Sequence, residues 1–515
     1  MRSMRLNRAI YTLLTISVLL IAGCSGGGSA GTAAISPPPS GTNWSTMGVV
    51  ADGVTDNTAA LNALPANVSI VGDCPAGKTI VAMGPWLWRS NMKISMQSGC
   101  QIESYVTGGG DASYAITQSD LTTPLTNISV DGLQVASHYA ASEDIIMRLW
   151  VNNFSLLHWT VTASGGVMVI RGSNQEIAYG TATGTFPETG NPGIRHVGNE
   201  PTVATTAGQP ANVYIHDNNI QSGDGTYQAC VPLTSTTSPL WTNVSTDGIL
   251  FQNNVGTSDQ AALILIGERP QDVGPYTSWT CSNVVFNNVS GSGNNKSVYI
   301  SSVGPSNPVS NITLENSVID TTGGNRTFGA VEITAVGGSI SALKFENFTI
   351  RNYGEMALST VGNITGFSFD HGTIEPPGVG GTATIVISDT AQSGITNTAI
   401  GANGGDAVQV GPNDATGAEH PASALTVTGN TVTGVGNGFA AVRMFNLNQG
   451  NVASNTMNSL GGAAASTGLY FSASGTGGPG TTNTAATEND LAGIAGASKI
   501  IFAPNQGNSL INNIE

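Results

Sequence analysis

Along most of the chain, apolar residues alternate with polar ones over runs of about five residues, as at Leu343 and Phe345 or Val298 and Ile300. That period-two pattern predicts short β-strands. Helical spacing is absent from about residue 126 onward. The same local pattern returns again and again: Ile215-His216-Asp217-Asn218, Phe251-Gln252-Asn253, Phe286-Asn287-Asn288, Leu314-Glu315-Asn316, Phe345-Glu346-Asn347 and Phe369-Asp370-His371. It continues through Asn397, Asn430 and Asn455, with steps of 24 to 35 residues and a mean near 30. A period of that size marks a solenoid. About three short strands per unit, separated by Gly and Asn turns, predict a parallel β-helix in which each strand pairs with its equivalent one coil away. Asn tolerates left-handed backbone, so its recurrence reads as a turn ladder.

A solenoid needs caps over its open ends. Asp56 is a good N-cap for a short helix from Asn57 to Leu64, with Ala59, Ala60, Leu61 and Leu64 as its apolar face. The predicted fold is thus all-β: a single-stranded right-handed parallel β-helix with a short N-terminal capping helix.

Composition narrows the class. The 515 residues are 40% hydrophobic and only 9% charged, so disorder through charge excess is excluded, and Asn, Ser and Thr must wet the surface. Glycine is abundant, 67 residues, without the strict period of collagen. The formal charge of -16 leaves no basic cluster for phosphate, so nucleic acid is not an expected partner.

Residues 1–23 hold Arg2, Arg5 and Arg8 before an apolar run from Ile10 to Ala22, the layout of a secretory signal. Its end, Ile21-Ala22-Gly23-Cys24, resembles the bacterial lipobox, which implies cleavage and lipidation at Cys24. Residues 24–45 are Gly/Ser- then Pro-rich and form a tether. The expected location is the cell envelope, as an outer-membrane lipoprotein facing periplasm or cell surface and held to the membrane through its lipid alone. Residues 46–125 are assigned to the cap and first coils, and 126–515 to the β-helix, with its longest turns around 175–290. Export makes disulfides plausible, and Cys74 with Cys100 and Cys230 with Cys281 are the favoured pairs among three pairings.

The stretch from Ala51 to Leu61, followed by Cys74-Pro75-Ala76-Gly77-Lys78-Thr79-Ile80, resembles the entrance signature of the pectin-lyase-like superfamily, closest to family 28 glycoside hydrolases, the polygalacturonases. Superfamily membership implies the β-helix but leaves open hydrolase, lyase, epimerase or depolymerase chemistry.

Long turns build walls around a groove, and chemistry is sought there. An offset of 35 residues aligns Asn218-Asn219-Ile220 with Asn253-Asn254-Val255 and carries Asp224 onto Asp259. Two carboxylates one coil apart would repel, leaving one protonated to higher pH as an acid and the other as base or nucleophile. Ser222-Gly223-Asp224-Gly225 looks like the polygalacturonase Gly-Asp-Asp motif, which implies the general-acid role for Asp224. Gly225 replaces the second Asp, however, and Ser258-Asp259-Gln260 stands where the family has Gly-His-Gly. No Arg-x-Lys motif is present.

Glu268 and Arg269 follow the next strand as further catalytic candidates. Arg195 and His196 lie in the preceding turn, where an Arg can hold a uronate carboxylate. Trp241, Trp279 and Tyr227 are candidate sugar-stacking rings, and Gln228 and Gln260 complete the substrate-binding set. No cofactor is required. Calcium is an alternative use of Asp217, Asp224, Asp259 and Glu268, all hard oxygen donors.

Other motifs fail on context. Gly475 to Gly480 fits a dinucleotide fingerprint but is broken by Pro479, and Gly27 to Gly31 fits a nucleophile elbow but lies in the tether.

Two functions follow. The first is an exported enzyme cleaving a polysaccharide, as a glycoside hydrolase or a uronate lyase using Arg and calcium. The second is a noncatalytic surface lipoprotein, an adhesin or glycan-binding module. Oligomeric state is left open.

Overall fold

The computed structural model describes residues 40–515 apart from 107–113, 121–122, 139–144, 163–165, 184–191, 197–211, 223–224, 231–243, 259–261, 268–278, 294–296, 303–307, 322–328, 355, 379–382, 413–419, 473–479 and 503–505.

Short strands wind into a right-handed parallel β-helix with three faces, and every described strand pairing is parallel. In one coil, face one is the strand Val213–His216, face two Asn219–Ser222 and face three Gly225–Ala229. Face two stacks 15 described strands, from Thr79–Ala82 to Asp490–Gly493. Faces one and three merge into one sheet because strands such as Ile145–Leu157 and Val331–Glu346 run from one face into the other without a break.

Face one is bracketed at both ends by residues in the left-handed region, spaced five apart. Asn153 and His158, Asn174 and Tyr179, Asn212 and Asp217, Asn283 and Asn288, and Asn311 and Asn316 are such pairs, all with φ between 48° and 58°. Elsewhere Gly takes one corner, as in Gly366 with His371 and Ala424 with Gly429. Left-handed backbone suits Asn and Gly and strains most other residues. Four residues between two fixed corners place two side chains inward and two outward: Ile312 and Leu314 are fully buried, Thr313 and Glu315 half-exposed.

The inward row fills the core. Phe251 stacks on Phe286 with ring centroids 4.4 Å apart, and Phe345 on Phe369 at 5.8 Å. Each ring, fully buried, contributes about 1.5–3 kcal/mol. The sequence-derived pairs Leu343 with Phe345 and Val298 with Ile300 are all core.

The asparagine ladder is real, but it is two ladders. The outer one runs along the left-handed corner: Asp217, Asn253, Asn288, Asn316, Asn347, His371 and Asn397. The inner one lies one residue later, buried: Asn218 Nδ2 donates to Asn254 Oδ1 at 3.0 Å, Asn430 to Asn455 at 2.9 Å, and Asn455 to Asn489 at 2.8 Å. Each inner amide also donates to a strand carbonyl, as Asn455 does to Val427 at 2.8 Å. The expected alignment of Asn218 with Asn253 therefore mixed an inner with an outer rung. The two look alike in sequence because Asn occupies both positions.

The short helix spans Thr58–Ala63, with Leu61 and Leu64 buried. The N-cap position is Asn57 rather than the expected Asp56, one residue later, although Asp56 Oδ1 still accepts the Thr58 backbone N–H at 3.0 Å. Cys74 is bonded to Cys100 and Cys230 to Cys281, the favoured pairing.

The inner ladder makes a stability prediction. Asn455→Ala removes the acceptor of the buried Asn430 backbone N–H and one donor each from the Val427 and Asn489 carbonyls, and is expected to cost about 1–3 kcal/mol. The urea midpoint of the variant against the parent protein measures this.

Candidate functional site

Face one is a continuous outward surface whose residues stack in two rows. The register fixes the first as Lys93, Ser129, Ser155, Glu176, Tyr214, Leu250, Val285, Thr313, Lys344 and Ser368. The second passes through Asp131, Leu157, Ala178, His216, Gln252, Asn287, Glu315, Glu346 and Asp370. Among the described residues these rows carry Lys93 and Lys344 against five carboxylates: Asp131, Glu176, Glu315, Glu346 and Asp370.

The first coils of this face form an open groove of about 510 Å³. Lys93 and Glu176 line it, and one wall is the chain of outer amides Asn127, Asn153, Asn174 and Asn212. Each donates to the amide before it at 3.0 Å.

At the opposite edge, rings and acids gather. His158 stacks on Tyr179 at 5.0 Å, and Tyr179 meets His216 edge-on at 5.4 Å. Tyr214 stacks on His216 at 3.9 Å. His216 is nearly buried, with Nδ1 2.6 Å from Asp217 Oδ2 and Nε2 3.3 Å from Glu176 Oε1. His158 Nδ1 lies 2.8 Å from Asp131 Oδ1. The Tyr214 hydroxyl donates to Gln252 Oε1, and burial, with the negative charge of Asp217, the neighbouring Tyr179 and Glu176, raises its pKa above the usual phenol value. Tyr179 is 49% exposed.

His158 and Tyr179 occupy left-handed corners, at φ 48° and 55°, where most coils place Asn or Gly. A ring there carries backbone strain of about 1–2 kcal/mol that Asn would reduce. The result is an exposed ring edge beside a ready-made fork of acids and imidazole, suited to hydroxyl groups on a flat ligand.

Further along the same face, Glu315, Glu346 and Asp370 stand in register on three successive coils. Stacked strands are about 4.8 Å apart. Lys344 forms an ion pair with Glu346, whose hydrogen bond raises the lysine pKa; burial opposes it, and the charges of Glu346, Glu315 and Asp370 add to the rise. At Asp370, burial would raise the pKa. Hydrogen bonds from Thr396 and Asn397, at 2.6 and 3.0 Å, and from His371 outweigh it and hold the carboxyl below its ordinary 3.8.

Sequence-derived candidates fare unevenly. Asp224, Asp259, Gln260, Trp241, Glu268 and Arg269 lie outside the described residues. The register around the first two is described, and it is not 35. Asn219 pairs with Val255, an offset of 36, and Gly225 with Ala262, an offset of 37. Those offsets carry 224 to 260 or 261, so the argument that aligned Asp224 with Asp259 fails: it took Asn218 and Asn253 as equivalent when Asn218 stacks on Asn254. The six-residue strand Ala262–Gly267, about 20 Å long, also separates Asp259 from Glu268 along the chain.

Arg195 and His196 are on the face-three strand Pro192–His196, Arg195 in register with Gln228 and Leu265. Trp279 begins the strand Trp279–Asn287, in register with Val244. Two candidates are corrected. Tyr227 is fully buried, its hydroxyl donating to the Asn218 and Val255 carbonyls at 3.1 and 2.7 Å, and is a core strut rather than a sugar platform. Gln228 is equally buried and cannot line an open groove. Asp217, offered as a calcium ligand, faces His216 instead; among the described residues no cluster of three or more acids, His or Cys is arranged for a metal.

Sequence reasoning missed Glu176, Tyr179, Tyr214 and His158. Their signal was readable: each is an outward or corner position of the four-residue face-one strand, where a ring or charge departs from the usual Ser, Thr or Asn.

No protein-family model matches the sequence, and no curated protein sequence matches it. Solved structures do share the fold. A variant of the tailspike protein of E. coli bacteriophage HK620, in complex with pentasaccharide, is 8% identical over 92% of this chain and 78% of its own, with a TM-score of 0.55. Tailspike protein 3 of bacteriophage CBA120 is 9% identical with a TM-score of 0.44; the match covers 92% of this chain but only 61% of that one. An exopolygalacturonase of Thermotoga maritima is 12% identical over 69% of this chain and 90% of its own, with a TM-score of 0.38. At these identities the likeness establishes the parallel β-helix fold and nothing finer.

The lowered Asp370 pKa has a definite sign. Its contribution to stability is present above pH 3.8 and disappears as pH falls through the lower folded value. Asp370→Asn is expected to be less stable than the parent at neutral pH, with the gap closing below pH 3.8, as read from denaturant midpoints across a pH series.

Proposed function

We propose that this chain is an exported, lipid-anchored carbohydrate-active protein that binds a polysaccharide along face one. The observation that carries the reading is the ring at Tyr179, held half-exposed at a left-handed corner beside His158, His216, Glu176 and Asp217. Backbone strain maintained at an exposed aromatic edge, next to a groove of amides and acids, is the arrangement expected of a sugar subsite. The tailspike variant of similar fold, whose complex holds a pentasaccharide, supports a glycan as ligand. The lipobox-like Cys24 and its tether support attachment to the cell envelope.

Cleavage is a separate and finer part of the proposal, with Asp224 as general acid on the strength of its Ser-Gly-Asp-Gly setting, in the segment that joins face two to face three rather than on face one. Register lends no support to Asp259 as its partner, since the neighbouring strands step by 36 and 37. That register favours a second reading, a noncatalytic glycan-binding or adhesive lipoprotein.

Two measurements test these readings. Tyr179→Asn restores the usual corner residue, so relief of strain offsets lost ring contacts and stability is expected to stay within about 1 kcal/mol of the parent. Glycan affinity, by contrast, is expected to fall about tenfold, a loss of about 1.4 kcal/mol. Unchanged affinity would remove Tyr179 from the site. Separately, incubation with a polysaccharide panel is expected to release new reducing ends, and Asp224→Asn to slow that release by about 100-fold or more. Binding without any release would select the noncatalytic reading.

A further inference from the structure

Face one is electrically one-sided. Its described rows hold two lysines against five carboxylates, and the corner residue Asp217 adds a sixth acid. One lysine, Lys344, is already ion-paired with Glu346. Glu315, Glu346 and Asp370 then present three acids on successive coils at about 4.8 Å. At physiological salt the screening length is about 8 Å, so a ligand lying in contact with the face feels these charges directly. The whole chain adds to the field, with a formal charge of -16.

A polyuronate or sulfated glycan laid along this surface would bring a regular row of like charge against the acid rows, with no described arginine on the face to receive it. The groove's donors are amide groups and hydroxyls, which serve neutral sugar oxygens. We propose that the polysaccharide taken by face one carries no net negative charge: it is a neutral or amino-bearing glycan, not a polyuronate or a sulfated one. This rests on the glycan-binding reading above and narrows its substrate class. It also removes the uronate-lyase chemistry that the superfamily resemblance left open.

The full-length protein can be run by affinity electrophoresis through gels containing β-glucan, chitosan, polygalacturonate or chondroitin sulfate. Retardation is expected by β-glucan or chitosan, with polygalacturonate and chondroitin sulfate at least tenfold weaker at about 0.15 M salt. Raising salt to about 1 M, where the screening length falls to about 3 Å, should narrow the gap. Glu315→Gln combined with Glu346→Gln should narrow it without added salt. Both changes are on side chains outside the core, and the salt series stands even if the double variant folds poorly.

Polygalacturonate or chondroitin sulfate binding as tightly as the best neutral or amino polymer, at low salt, would overturn the assignment. So would a preference that salt leaves unchanged. Failure of all four polymers to bind is a different result: it would sink the glycan-binding reading itself.

Discussion

The structure depends on a pair of left-handed corners five residues apart. Between them only four residues remain, and in extended backbone four residues leave two side chains inside and two outside. This constraint sets where each face-one strand begins and ends, independently of how long the rest of the coil is. Coil length is free to vary: Thr160 pairs with Thr181 but Thr181 with Asn219, steps of 21 and 38 residues. The face nonetheless stays in register because its ends are clamped by backbone geometry. Packing then follows, with rings stacked on rings inside, and the outward rows become a flat, uninterrupted surface.

That separation of duties explains how such a chain can carry chemistry. Length variation is absorbed in the turns, and the outward positions of face one are not needed for the core. They can accept Tyr214, Glu176 or Lys344 without disturbing Ile215, Ile177 or Phe345 beside them. The corners are less permissive, so the rings found there, His158, Tyr179 and His371, are the positions at which structure and use are most plainly in tension.

The fold was legible in the sequence because its signals are local and repeated: period-two alternation, recurrent Asn and a capped helix at the entrance. The disulfide pairs were legible for the same reason, since each joins nearby coils. The site was much less so. Register between coils turns on a single residue, and the buried Asn218 and the corner Asn253 carry the same side chain into different physical roles. One is an amide inside the core bonded to a strand carbonyl, the other a turn residue in water. Aligning them gave an offset of 35 where the flanking strands step by 36 and 37. Tyr227 and Gln228 misled differently: an aromatic and an amide near long turns suggest a sugar site, but both are buried, Tyr227 in the core and Gln228 on the other side of the strand in register with Leu265. The acids at 315, 346 and 370 were visible in the repeat itself, yet read only as turn neighbours until stacking placed them in a row.

The inner corner position changes its filler along the axis. It holds Leu133, Trp159 and Gly180, then amides at Asn218 and Asn254, then Val289, Ser317, Phe348, Gly372 and Thr398, then amides from Asn430 to Asn489. Directional bonds resist slippage of one turn over the next, whereas greasy or small contacts do not. The turns from Asn430 to Asn489 are therefore latched to one another, whereas the coil of Phe348 is held at this corner by apolar packing. Shear along the axis would be taken up first where that latch is missing.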